Sequence, residues 1–252
     1  MLIIILKKNV MWRKLMKKDA CSRGINYKTL NTDENDKNFL RQLTLLFFWQ
    51  YIVVTIVMMF LYTGGNRYAP ETTHFVLDQN YLSDLGRTIN FVGKTNSYAV
   101  FYTITLSLVG VGIFLFFVQV TRKITSKLKY LVILLSLISA TSYIGIALYP
   151  VDVDIATHIK FGRAAFFSFF FTSVLFHILI DKKEQQKTNY LLFILNTLLF
   201  AYLLLMLFGP SSSQGVWALQ LKTIAQKVVV YSQITLSLLI LKKPQYRNLD
   251  SK

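Results

Sequence analysis

Six stretches of about 20 mainly apolar residues, the length a helix needs to cross a bilayer core, constrain this chain more than any other feature. They lie at residues 43 to 62, 99 to 121, 130 to 149, 161 to 180, 190 to 209 and 221 to 241, none contains an acidic residue, and each is flanked by charge, Pro or Gly. Because lipid cannot satisfy backbone N–H and C=O groups, segments of this length and isolation are expected to be helices. The fold class expected is therefore all-α, a polytopic membrane protein built as a bundle of six transmembrane helices. Composition agrees: 54% hydrophobic and 16% charged residues, with a mean hydropathy of +0.44, lie well outside the pattern of soluble domains.

The formal charge of +16 raises the question of a nucleic-acid partner. A nucleic-acid domain clusters its Lys and Arg on one folded face, whereas here they fall between the apolar runs, so no nucleic acid is expected. Their distribution instead reports orientation, since cytoplasmic loops carry the excess of Lys and Arg. The amino tail has 10, the 122 to 129 loop 4, the 181 to 189 loop 3 and the carboxyl tail 4, so 21 of the 28 fall on one side. Both termini are accordingly expected in the cytoplasm, with the cell membrane as the location. The exterior then holds the 63 to 98 loop and the turns at 150 to 160 and 210 to 220.

The domain plan is a basic cytoplasmic tail at 1 to 42, a transmembrane domain at 43 to 241 and a cytoplasmic tail at 242 to 252. The run Leu2 to Leu6 is too short for a signal-peptide core, no cleaved signal is expected, and Met11 or Met16 could equally be the start. Residues 7 to 42, with a polar patch at Asn31 to Asn38, read as a mobile or interfacial segment. The single cysteine, Cys21, permits neither an intramolecular disulfide nor a cysteine-based metal site. It reads as a free cytosolic thiol, or else as a palmitoylation site beside the membrane.

The two inner loops are short basic linkers that attract phospholipid and set topology. The outer loop, about 36 residues without an evident element of its own, is of a length that is uncommon unless functional. Within it, Ser83-Asp84-Leu85-Gly86 and Asn96-Ser97, together with Gly145, Tyr149-Pro150, Asp152 and His158 further on, resemble the six-span membrane family catalogued as domain of unknown function 998. That family is in turn similar to the Frag1, DRAM and Sfk1 group of lysosomal and lipid-associated proteins. Tyr149 stands where an aromatic, often Phe, is expected, and the basic amino tail looks like an addition. The resemblance implies six helices in a membrane and supplies no reaction, cofactor or catalytic residue.

The residues themselves direct attention to the same places. Glu71, Asp78, Asp84, Asp152 and Asp154 fall on the outer side, with His74, His158, Arg87, Arg163 and Lys227. Lys227 precedes Lys242 by 15 residues, about 22 Å of helix, so it begins inside the outer boundary of the hydrocarbon. A charge there must snorkel, pair or face a wet cavity, and Asp84, Asp152 and Asp154 are the partners available. We therefore expect an outward-facing polar pocket lined by Asp84, Arg87, Asn96, Asp152, Asp154, His158, Arg163 and Lys227. If the fourth helix starts near Asp152, Asp154 and His158 share a face; the carboxylate would then orient the imidazole, or else cap the helix. Ser-Asp-Leu-Gly reads as part of that pocket or as an N-cap and turn, with Gly86 allowing a positive φ.

Other chemistries have weaker signals. The histidines and outer carboxylates are metal-ligand types, but their spacing matches no metal motif, and no metal or cofactor is expected. Ser83 or Ser97 with His158 suggests hydrolysis. Span interiors without Asp or Glu disfavour an ion-coupled transporter. Ala164, Ser168 and Thr172, with Gly110, Gly112, Ser136 and Ala140, read as close-packing positions, and Gln50, Asn196 and Gln233 as interhelical hydrogen-bond partners. The Phe-rich run in the fourth span reads as lipid-facing. Three functions follow: a lipid-associated protein that binds an anionic headgroup through Arg87, Arg163 and Lys227, with membrane lipids as partners; a membrane-embedded hydrolase using His158 with Asp84 or Asp154; and a structural or partner-binding subunit.

Overall fold

The computed structural model describes residues 27 to 180 and 186 to 243. Of the described residues, 27–42 and those from 43 onward fall in two compact units, and the transmembrane bundle belongs to the second. The helices are α1 (Tyr27–Leu61), which contributes to the bundle from Leu43, α2 (Ala99–Val120), α3 (Lys129–Leu148), α4 (Ile155–Leu179), α5 (Gln186–Phe208) and α6 (Val216–Leu241). All six are long and apolar enough to cross a membrane, so the chain is an all-α, multi-pass transmembrane bundle.

Helix boundaries run past the apolar stretches where local chemistry permits. Helix α1 begins at Tyr27, so the residues from Tyr27 to Gln42, expected in a mobile or interfacial tail, are helical. They contain neither Pro nor Gly, and polar residues of this kind continue a helix at little cost. The rest of that tail, residues 1 to 26, and the carboxyl tail from residue 244 lie outside the described residues. Helix α4 starts at Ile155 rather than 161 because Asp154 caps it, its carboxylate accepting from Thr157 N–H at 3.0 Å. Pro150 ends α3 one turn earlier, since the residue before proline is driven out of the helical region.

The half of the bundle remote from the 62 to 98 loop is filled by aromatic rings. Phe48 meets Phe116 at 6.3 Å, Phe116 meets Phe117 at 4.9 Å, and Phe117 meets Phe169 at 5.7 Å and Phe176 at 6.0 Å, which joins α1, α2 and α4. The Phe-rich run of α4 is therefore not a lipid-facing strip. Phe166, Phe169 and Phe176 are core residues, and Phe171 points outward. A helix places residues three or four apart on one face, so a dense run of phenylalanines serves both surfaces.

Small and polar residues seal the helix seams. A Cβ on Gly110 would stand 2.6 Å from the Ala140 carbonyl oxygen, so α2 and α3 approach as closely as they do because of that glycine. Ser139 Oγ donates to the Ala165 carbonyl at 3.2 Å, joining α3 to α4. Gln50 donates to Thr105 O at 3.0 Å, Tyr143 O–H to Gln233 Oε1 at 2.9 Å, and Asn196 bonds His177 at 3.2 Å. Each of the three span amides thus joins two helices.

Candidate functional site

The 62 to 98 loop is an ordered cap organised by four asparagines. Asn66 Oδ1 accepts from the N–H groups of Tyr68 and Ala69. Asn80, fully buried, accepts from Val76 N–H and donates to Gly65 O and Asp84 Oδ2. Asn90 closes a small turn through Val92 and Lys94 N–H. Asn96 donates to the carbonyls of Leu85 and Arg87, both at 3.0 Å. Short amide side chains suit this task because they mimic backbone groups.

Ser83, Asp84, Leu85 and Gly86 lie in a buried 3-10 turn, Leu82–Gly86. Asp84 Oδ2 accepts from Tyr81 N–H at 2.8 Å, so its role is to close the turn. Burial pushes the Asp84 carboxyl up to about 6, against the opposing hydrogen bonds from Asn80 and Tyr81 and the charges of Arg87 and Lys227. Gly86 does not take a positive φ. It is required instead by close approach, for a Cβ there would meet Tyr102 Cδ1 at 2.5 Å.

The cap is fastened to the turn between α3 and α4 by Asp152, which accepts from Thr88 N–H at 3.1 Å, Thr88 O–H at 2.7 Å and Ile89 N–H at 2.8 Å. Partial burial acts to raise the Asp152 carboxyl, but these hydrogen bonds outweigh it and hold the group below its usual range. A second fastening uses α6. Gln220 donates to Asp78 at 2.6 Å, Thr223 O–H to the Asp78 carbonyl, and Lys227 Nζ to the Asn80 carbonyl and to Thr223 O. The Lys227 ammonium also lies 5.4 Å from the centre of the Phe75 ring. A third joins the cap to the 209 to 215 turn, where Arg67 donates to Ser212 Oγ at 3.1 Å and Tyr68 O–H to Ser212 O at 3.0 Å.

Beneath this cap a cavity of about 780 Å3 reaches into the bundle, within the usual range for ligand sites. Its mouth carries Arg67, Arg87, Arg163, Lys222 and His158; its depths carry Tyr51, Tyr102, Leu106, Tyr143, Phe166 and Val230. Of the eight residues expected to line a pocket, five do so: Asp84, Arg87, Asp152, His158 and Arg163. Asn96, Asp154 and Lys227 do not. Asn96 is consumed by the cap and Asp154 by capping α4; its carboxyl is held below the usual range mainly by the Thr157 N–H. Lys227 is only 7% exposed and turned toward the cap.

Helix phase explains the exchange of lysines. Leu219, Lys222, Gln226 and Val230 line the cavity, whereas Gln220, Thr223 and Lys227 grip the cap. Five residues of helix separate the two lysines, which turns them about 140° apart. The missed lining residues were Lys222, Arg67 and the tyrosines. A reading of α6 by 3.6-residue phase, pairing Lys222 with Gln226, was the signal that would have found Lys222.

Arg87 and Arg163 illustrate two states of a mouth cation. Arg87 is held, its Nε donating to Ile89 O at 3.1 Å and its guanidinium 4.1 Å above the Phe91 ring. Arg163 and Lys222, which both line the cavity, have no hydrogen bond or ion pair to any described residue. His158 bonds the Tyr149 carbonyl through Nδ1 at 2.8 Å. Because a carbonyl oxygen only accepts, Nδ1 carries a proton and Nε2 is left for the cavity. Among the described residues no hydrogen bond links the His158 imidazole to Ser83, Ser97, Asp84 or Asp154, and no group of three or more metal-ligand side chains gathers. No family model, curated protein or solved structure matches this chain.

Proposed function

We propose that the chain binds the anionic headgroup of a membrane lipid at the mouth of this cavity. The observation that carries the reading is the pairing of Arg163 and Lys222, two cations directed at one cavity with no carboxylate bonded to either, above an aromatic and apolar interior. Two cations that line one cavity at the end of a transmembrane bundle, neither bonded to a carboxylate, are stabilised by an anion that joins them. Arg fits a phosphate bidentately, and Lys adds a mobile point charge. Arg87 and Arg67 extend the same positive rim, and Lys227, expected among the binding residues, is replaced by Lys222. The resemblance to the six-span family of unknown function and its lipid-associated relatives is in keeping with this reading.

Retention of phospholipid by the detergent-purified protein, read by native mass spectrometry, tests it. Phosphatidylglycerol should be retained in preference to phosphatidylcholine, and R163Q combined with K222Q should reduce that retention by about tenfold, the factor that one charge-assisted hydrogen bond supplies. Equal retention of both lipids, or of one lipid by both proteins, refutes the reading. The 21 to 7 distribution of Lys and Arg supports a location in the cell membrane with both termini cytoplasmic and the mouth outside. A cysteine placed at Ser212 should then react with an impermeant maleimide on intact cells, and one placed at Ser126 should not.

A further inference from the structure

The seam between α4 and α5 is closed in its middle and open near the cap. Phe170 stacks on Phe200 at 6.1 Å, and Phe166 meets Tyr202 edge-on at 4.8 Å. At the far end His177 bonds Asn189 and Asn196. Among the described residues no ring pair or side-chain hydrogen bond joins α4 to α5 above the Phe166–Tyr202 pair. There α4 presents Ile155, Ile159 and Gly162, on one face with Phe166, and α5 presents Leu205 and Met206, with Gly209 just past its end, and all six line the cavity. Ile155 is 53% exposed and Ile159 is 44% exposed. Residues that line the cavity and are this exposed mark a thinly covered stretch of its wall.

Gly162 is the telling position. A Cβ built on it meets nothing within 4 Å, so no neighbouring helix requires a glycine there. Glycine inside a helix is unfavourable relative to alanine, and what its absent side chain leaves here is room, on the cavity wall at the opening. Resting on the headgroup reading, we propose that the ligand is a diacyl phospholipid whose acyl chain leaves the cavity sideways between α4 and α5, past Gly162. The charge sits under the cap with Arg163 and Lys222, and the chain lies where the hydrocarbon of the bilayer begins. The adjacency of Gly162 and Arg163 in sequence places the chain opening and the headgroup cation at one level of one helix.

The test uses the full chain in nanodiscs containing phosphatidylglycerol with a diazirine midway along one acyl chain. After irradiation and digestion, the label should concentrate on peptides carrying Ile159, Gly162 and Met206. Gly162→Leu, whose Cβ meets no neighbour and whose longer side chain extends into the opening, should lower that labelling by roughly tenfold. Label spread evenly over lipid-facing residues such as Phe101 and Ile104, or labelling at Met206 indifferent to Gly162→Leu, overturns the lateral opening. Wild-type labelling decides the matter even if Gly162→Leu fails to fold. Labelling and retention that are both indifferent to R163Q with K222Q overturn the headgroup reading instead, so the two failures are distinct.

Discussion

The ammonium group of Lys227 donates to the carbonyl oxygen of Asn80 across 147 residues of sequence. Asn80 in turn holds the 3-10 turn through Asp84 and the start of the loop through Gly65, so a single lysine on α6 anchors the centre of the cap. Lys227→Met keeps the length and apolar bulk of the stem but leaves a buried carbonyl short of a donor. That loss costs about 1–3 kcal/mol, and the melting temperature in detergent should fall measurably. Lys222→Met, at a position with no partner among the described residues, should leave melting unchanged and weaken retention of anionic lipid.

Asp84 and Asp152 should impose opposite pH dependences on stability. The folded protein keeps a proton on Asp84 up to about pH 6, whereas an ordinary carboxyl releases it near 3.8. Between those values the folded state binds more protons, so stability falls as pH rises through the window and stays at the lower level above it. The term amounts to roughly 2–3 kcal/mol at most, and Asp84→Asn, which preserves an acceptor for Tyr81 N–H, should abolish it. Asp152 is held below its usual range, so its contribution is present above the ordinary carboxyl value and is lost as pH falls through its folded value. Asp152→Asn should weaken the protein at neutral pH and flatten the acid limb. Melting temperature followed from about pH 2 to pH 8 for the three proteins separates the two effects, the Asp152 limb lying below about pH 4 and the Asp84 window between 3.8 and about 6.

The six spans were legible because bilayer thickness imposes a length and lipid imposes an apolar composition, and both leave a mark in every window of sequence. The position of Asp154 as a helix cap was legible from its place before an uninterrupted helical run. What decided the site was orientation around a helix axis, which hydropathy does not carry. Lys222 and Lys227 have the same chemistry and lie about 7.5 Å apart along one helix, yet the neighbour that distinguishes them, Asn80, is supplied by a loop more than a hundred residues away. Gly86 shows the same limit. Its turn was foreseen, but its need for a missing Cβ comes from Tyr102 in α2 and not from its own φ.

Two glycines in the loop-side half should respond oppositely to the same change. Gly162→Ala places a methyl in open space and removes a helix-interior glycine, so it should stabilise the protein by about 0.5–1 kcal/mol. Gly86→Ala forces a methyl to 2.5 Å from the Tyr102 ring and should destabilise by about 1–3 kcal/mol through overpacking. Thermal melting in the same detergent gives both signs, and a loss of stability in Gly162→Ala would mean that the position is packed and not open.

Phenylalanines two residues apart on α4 provide the corresponding check on the other half of the bundle. Phe169 is 1% exposed and touches Phe117, whereas Phe171 is 52% exposed. Phe169→Ala opens a cavity in the ring stack that joins α1, α2 and α4, for which truncation of a buried phenylalanine costs about 3–5 kcal/mol. Phe171→Ala removes an outward ring whose ring contact in the protein is with the neighbouring Phe170 and should stay within about 0.5 kcal/mol of wild type, as surface changes generally do. The comparison bears on function as well, because the ring stack is the floor beneath the cavity. If Phe169→Ala lowers melting and leaves anionic-lipid retention intact, floor and mouth are separable; if retention falls with it, the depth of the cavity depends on the stack.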